Sequence, residues 1–218
     1  MKVQFLEYFI LGFILLCFVV YYENFSSEMV QVKSNIDNET YTVRNMTDKQ
    51  QAANMLAALR RNMKNLVDYV QNQKQGEDKY CRGAITVLKD RFRPNKMSES
   101  PSNAKFTSYS VNKGEKIFFC LRLKDETNQL IDENTLTFVA IHELAHVMTK
   151  SIGHTPEFWN NFRFLLRHAV RAKIYRYQKF AENPEKYCGM SITDTPYKPE
   201  RDDDPSIKNT PNETKSCR

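Results

Sequence analysis

The sequence predicts an α+β fold that is mostly helical and includes one small antiparallel β-hairpin. Two patterns indicate helices: apolar residues step by three and four along 56–70, and they do so again along 136–148. A third pattern indicates the hairpin, because β-prone runs at 107–111 and 116–123 flank the turn-forming stretch 112–115. Helices combined with a short antiparallel sheet are typical of the α+β class.

The N-terminal segment predicts a transmembrane helix. Residues 9–22 carry no charge, and together with the apolar residues just before them they approach the ~20 residues that span a bilayer. No small-x-small cleavage motif follows, so an uncleaved signal-anchor is favoured over a cleaved signal peptide. Lys2 precedes the run and acidic residues follow it. This balance favours a single-pass membrane protein with a cytoplasmic N-terminus and a lumenal or extracellular domain.

The remaining composition predicts one folded domain with appendages. Residues 23–46 are polar and short of large aliphatics, which favours a flexible stalk. Residues 47–50 form a capping-box pattern that begins a helix reaching about Gln73. The predicted organisation is a short segment at 1–8, the anchor at 9–22, the stalk at 23–46, the folded domain at 47–198 and a disordered tail at 199–218.

Four N-glycosylation sequons agree with an exported chain. They crowd the predicted stalk and tail, although a chain rich in asparagine and threonine also produces sequons by chance. The acceptor residues are Asn24, Asn38, Asn45 and Asn212.

Four cysteines outside the apolar run permit two disulfides, with three pairings open. Four unpaired thiols in a reducing compartment are the alternative. Their spacing includes no Cys-x-x-Cys, so a metal site formed by cysteines is not indicated. The cysteines are Cys81, Cys120, Cys188 and Cys217.

One stretch carries three of the four histidines. His142 and His146 lie four residues apart, so on a helix both imidazoles point to one face and can bind one ion. Glu143 lies one step around the helix, where a carboxylate can deprotonate a water on the metal. His154 follows Gly153 at a turn and supplies the third ligand of one zinc ion. The alternative is two surface histidines beside a chance glutamate, which the helical context disfavours.

These residues resemble a known family. The sequence His-Glu-Leu-Ala-His at 142–146, followed by Gly-His-Thr-Pro-Glu-Phe-Trp at 153–159, resembles the zinc metallopeptidases of the WLM and SprT-like group, and most of all the small WLM-related proteins of large DNA viruses. The run 187–190 is similar to a downstream element of those viral proteins. The resemblance covers 134–166 strongly and 50–198 loosely. It implies a zincin-like fold and peptide-bond hydrolysis.

The spacing differs from two related patterns. In metzincins the third histidine would fall at Ile152. In other enzymes a glutamate from a distant helix is the third ligand, a role for which Glu157 can be argued, but the ligand type and the turn favour His154. A second donor to the oxyanion is usual, and Tyr109, Tyr187 and Tyr197 are unranked candidates.

The predicted function is that of a membrane-anchored zinc metallopeptidase acting on a peptide or protein substrate. By the same resemblance, the strand at 116–123 can pair with an extended substrate or only support the helix at 136–148. One alternative is a catalytically silent zinc-binding structural protein of a virion membrane. Another is a protease for nucleic-acid-bound proteins, a role known for SprT-like relatives. The net charge of +6 does not decide the matter, and the predicted anchor argues against nucleic acid as a partner.

Overall fold

The computed structural model describes residues 2–202 and Cys217. Side chains are described for 7–23, 28–200 and 217. The helices are α1 (Lys2–Glu28), α2 (Lys49–Gln73), α3 (Lys79–Arg91), α4 (Glu133–Met148), α5 (Pro156–Arg171) and α6 (Pro199–Asp202). The strands are β1 (Met29–Lys33), β2 (Thr40–Arg44), β3 (Met97–Glu99), β4 (Tyr109–Val111), β5 (Lys116–Phe119), β6 (Glu185–Tyr187) and β7 (Met190–Ile192).

The main sheet is mixed and has five strands in the order β1-β2-β3-β5-β4. The predicted hairpin is confirmed as the antiparallel pair β4–β5, in which Tyr109 lies opposite Phe118. The parallel pairs β2–β3 and β3–β5 join this hairpin to the N-terminal strands. The α+β class is therefore correct, but the sheet is larger than predicted and not purely antiparallel.

The predicted flexible stalk is wrong for residues 29–44. These residues form the antiparallel hairpin β1–β2, and Tyr41 and Val43 are buried in the core. Because only alternate residues of a strand face the core, the hairpin needs few large apolar residues and therefore looks polar in composition. Ser34 Oγ and the Asn35 amide also donate to Asn54 Oδ1 of α2, at 3.1 and 2.9 Å.

The predicted membrane topology is contradicted. Within the part of the chain that the structure describes, none of the helices combines the length and the apolar character that a membrane crossing needs. The charge-free run 9–22 extends only about 21 Å as an α-helix, against a hydrocarbon core of ~30 Å. The signal-anchor, the membrane partner and the lumenal or extracellular placement of the domain are therefore not supported. The predicted anchor was also the argument against nucleic acid as a partner, and that argument no longer holds.

The sequons lie in different settings. Asn38 is exposed in the β1–β2 turn with a φ of 59°, and Asn45 is exposed just after β2. The side chain of Asn24 and the whole of Asn212 lie outside the described residues. Glycosylation stays a prediction that the structure does not test.

Helix α4 lies at the centre of the helical layer, between α2, α3 and α5. Residues on nearly all sides of α4 are buried, so its apolar residues do not form a single stripe. This is expected for a helix that is enclosed by its neighbours. Asp132 caps its first turn by accepting from the amides of Asn134 and Thr135, at 2.9 and 3.0 Å. The central position of α4 fixes the residues that it carries.

Two disulfides are formed by the four cysteines. Cys81 of α3 pairs with Cys217, and Cys120 pairs with Cys188 in the β6–β7 turn. The predicted disordered tail lies outside the described residues except for α6 and Cys217, which is buried.

Candidate metal centre

Helix α4 presents His142 and His146 one turn apart on the face that meets α5. The chain leaves α4 at Thr149 and returns through Gly153, whose φ is 81°, so that His154 comes back over the same face. The Nε2 atom of His142 lies 3.2 Å from Nε2 of His146 and 3.2 Å from Nε2 of His154. One ligand atom from each of the three histidines lies within 4.8 Å of the others.

This spacing fits a zinc ion. A tetrahedral site with zinc–nitrogen distances of about 2.0–2.1 Å has ligand–ligand edges of about 3.3 Å. Two of the three separations, 3.2 Å each, match that edge, and the third is at most 4.8 Å. The three imidazoles would occupy three corners of the tetrahedron, and the fourth corner would face the cleft.

The lowered pKa values of two histidines also favour metal binding. Burial, followed by the nearby charges of His146 and His154, lowers the pKa of His142 to about 3. Burial and the charge of His154 lower the pKa of His146 to about 4. Both imidazoles are therefore neutral at physiological pH, which is the form that binds metal ions.

Glu143 lies beside the histidines but is not part of their cluster. Its side chain is buried, lines the same cleft, and has its pKa raised to about 8 by burial. A divalent cation next to it would favour the ionised carboxylate. Glu143 is thus placed to exchange a proton with a molecule in the cleft.

Phe158 packs under all three histidines. Its ring stacks on His146 at 4.3 Å between centroids and meets His154 and His142 edge-on at 4.7 and 4.9 Å. The Thr155 side chain caps α5, with Pro156 in its first turn. Phe158 is fully buried, whereas Trp159 is 42% exposed and contacts only His154 among the histidines. The sequence analysis gave Phe158 no role at the histidines, although its position four residues after His154 was a usable signal.

The loop that carries His154 is held from two sides. Lys113 Nζ donates to the carbonyls of Thr149 and Ser151, at 2.9 and 3.0 Å, and to that of Lys150. The Glu157 carboxylate accepts from the amides of Lys150 and Ser151, at 3.2 and 3.1 Å. The carboxylate of Glu157, the alternative third ligand, is therefore bound to the loop, while His154 lies in the cluster.

Replacing Lys113 with methionine is expected to weaken zinc binding about tenfold, because outer contacts that orient a ligand typically contribute 10–100-fold to metal affinity. Methionine keeps the length of the side chain and removes the three hydrogen bonds. Competition with a chromophoric chelator measures the affinity. Lys116→Met, on the exposed side of β5, is the matched control and should bind zinc as the wild type does. Equal affinities for the two variants would show that the loop does not depend on Lys113.

The metal cluster forms the floor of a cleft of about 600 Å³. The cleft is lined by β4 with the turn that follows it, by the loop at 151–154 and by the β6–β7 hairpin. Because β5 lies between β3 and β4, its backbone is already paired on both sides, so it cannot add a substrate strand. The prediction that the strand at 116–123 pairs with substrate is wrong, and β4 is the strand at the sheet edge beside the cleft.

The three tyrosines named from the sequence differ in position. Tyr187 and Tyr109 line the cleft. Tyr109 stacks on Phe118 at 4.9 Å between centroids. Tyr197 is buried against Tyr177 and is not among the cleft residues.

Comparison with known proteins identifies the family. The WLM domain matches residues 78–217, and the chain belongs to that family. Uncharacterized protein R325 of Acanthamoeba polyphaga mimivirus is 33% identical over 166 residues, which cover 76% of this chain and 83% of that protein. Uncharacterized protein 136R of Invertebrate iridescent virus 6 is 35% identical over 108 residues, covering 49% of this chain and 57% of that protein. The resemblance to WLM-related proteins of large DNA viruses is confirmed.

One solved structure is also similar. The crystal structure of Wss1 from Saccharomyces cerevisiae superposes with a TM-score of 0.39 at 20% identity, covering 60% of this chain and 88% of that chain. This likeness is too weak to define the fold of the present chain.

Proposed function

We propose that this protein is a zinc-dependent metallopeptidase with a zincin-like catalytic domain. The observation that carries the proposal is the convergence of three histidine Nε2 atoms on the floor of an open cleft, with the buried Glu143 beside them. Membership of the WLM family supports the same reaction class. His142, His146 and His154 would hold one zinc ion.

A bound zinc ion would act as a Lewis acid that polarises the substrate carbonyl and increases the acidity of water near neutral pH. Glu143 would accept a proton from the attacking water and then pass it to the nitrogen of the leaving amine. The buried setting of Glu143 strengthens its hydrogen bond to that water, because bulk water does not compete at the carboxylate.

An extended peptide would bind along β4. This strand is at the edge of the sheet and lines the cleft, so its backbone groups can pair with those of a substrate strand. We propose that the catalytic unit begins at Met29 rather than at residue 47, because the β1–β2 hairpin is part of the same sheet and core.

The proposal is tested with the full chain, loaded with zinc and then stripped with 1,10-phenanthroline. The loaded protein should cleave members of a peptide library, the stripped protein should not, and added zinc should restore cleavage. Protein that retains zinc but cleaves no member of the library would contradict the proposal and favour a silent zinc-binding structural protein.

A further inference from the structure

Tyr187 is a buried phenol in the wall of the cleft. It ends β6, is only 2% exposed, and lines the same cavity as Glu143 and the three histidines. Burial raises the pKa of Tyr187 above its ordinary value, and the nearby charge of Glu143 raises it further. The phenol therefore remains protonated and able to donate a hydrogen bond over the whole physiological pH range.

The phenolic oxygen of Tyr187 is hydrogen-bonded to a residue next to β4 of the main sheet. Ser108 Oγ, at the start of the β4 wall, makes a short hydrogen bond with Tyr187 Oη. The same Ser108 oxygen accepts from the Cys120 amide at 3.2 Å. Either hydroxyl can donate in the contact between Ser108 and Tyr187. When Ser108 donates its hydrogen, the phenolic hydrogen is left for a group in the cleft.

The backbone next to Tyr187 is also fixed. Cys188 forms the disulfide with Cys120, so the residue after Tyr187 is covalently joined to the end of β5. Cys188 and Gly189 have φ values of 49° and 82°, which are those of a tight two-residue hairpin turn. A hairpin of three-residue strands has little stability of its own. The disulfide and the Ser108 contact thus set the position of the phenol.

We propose that Tyr187 is a catalytic residue that donates a hydrogen bond to the oxyanion formed when water adds to the substrate carbonyl. This rests on the proposed peptidase function and deepens it. No bond is made or broken at Tyr187, because the phenol keeps its proton and only stabilises the negative oxygen. Tyr109 is less suited because its ring is stacked on Phe118 in the sheet, and Tyr197 is outside the cleft.

The test is Tyr187→Phe in the full zinc-loaded chain, which retains the ring and removes only the hydroxyl. The kcat is expected to fall about 100-fold, the typical effect of losing one oxyanion donor, with little change in KM. Zinc content should match that of the wild type, and the melting temperature should fall by only a few degrees, the effect of losing the Ser108 hydrogen bond. Tyr197→Phe is the matched control, since it removes the hydroxyl of another buried tyrosine away from the cleft, and its kcat should be unchanged.

A second readout does not depend on turnover. A phosphinic pseudopeptide carries a tetrahedral anionic group in place of the scissile amide, and calorimetry should show that it binds Tyr187→Phe at least about tenfold more weakly than wild type.

Ser108→Ala keeps the phenol but removes the hydrogen bond that Ser108 makes with it, and should lower kcat about tenfold. An active wild type with unchanged kcat and inhibitor affinity in Tyr187→Phe would overturn the role of Tyr187 alone. A zinc-loaded wild type without peptidase activity would overturn the proposed function as well.

Discussion

Replacing Glu143 with glutamine is expected to reduce peptide hydrolysis about 100- to 10,000-fold while zinc remains bound, which is the range that a positioned general base typically contributes. Glutamine has nearly the same shape and suits a buried position, but its amide cannot accept a proton from water. The three histidines are unchanged, so metal analysis should give the wild-type zinc content. The rate is measured on the best peptide from the library, at saturating and at limiting substrate.

Glu133→Gln is the control for this prediction. Glu133 is exposed in the first turn of the same helix, distant in sequence from the histidines. Its replacement changes the net charge by the same amount and should leave the rate unaltered. Full hydrolysis by Glu143→Gln would exclude the carboxylate as the base.

Replacing Phe158 with alanine is expected to lower the free energy of unfolding by about 3–5 kcal/mol, the usual cost of removing a fully buried aromatic ring. The same change removes the surface on which His146 stacks and which His142 and His154 meet edge-on. The rings would then lose their fixed orientation, so zinc affinity should fall at least about tenfold. Denaturant unfolding of chelated protein isolates the stability effect from the contribution of the metal.

Trp159→Ala provides the comparison, because Trp159 is adjacent in sequence but 42% exposed. It should lower the free energy of unfolding by about 1 kcal/mol, in the range of partly exposed positions. Equal destabilisation by the two variants, with unchanged zinc affinity in both, would show that Phe158 does not organise the histidines.

The metal cluster was predictable because its determinants are close together in sequence. His142 and His146 are related by one helical turn, and His154 is brought back by a glycine turn and a capped helix within the next ten residues. Local spacing and capping chemistry therefore specify the three ligands without knowledge of the rest of the fold.

The mixed sheet was not predictable in the same way. Strand β3 has only three residues and lies in a segment rich in serine, asparagine and proline, so it has no recognisable period. It is held by parallel partners far away in sequence and by the buried pair of Glu99 with Arg122, at 2.8 Å. Charged residues of this kind look like surface positions until the tertiary contacts that bury them are known.

The residues that form the wall of the cleft are also distant from one another in sequence. Tyr187 follows His154 by more than thirty residues, and the sequence left three disulfide pairings and three tyrosines open. The Cys120–Cys188 disulfide and the Ser108 contact together bring the β6–β7 hairpin to the metal cluster. These contacts depend on the folded sheet, which explains why residue types alone could not rank the tyrosines.

X-ray absorption at the zinc edge of the loaded full chain tests the proposed metal centre most directly. Three imidazole nitrogens and one oxygen at about 2.0–2.1 Å are expected, because the histidines occupy three corners and solvent in the cleft reaches the fourth. Four of the five cysteines are joined in disulfides, and Cys17 is not among the cleft residues, so no sulfur should contribute. A zinc ion with sulfur ligands, or one with fewer than three imidazoles, would contradict the site.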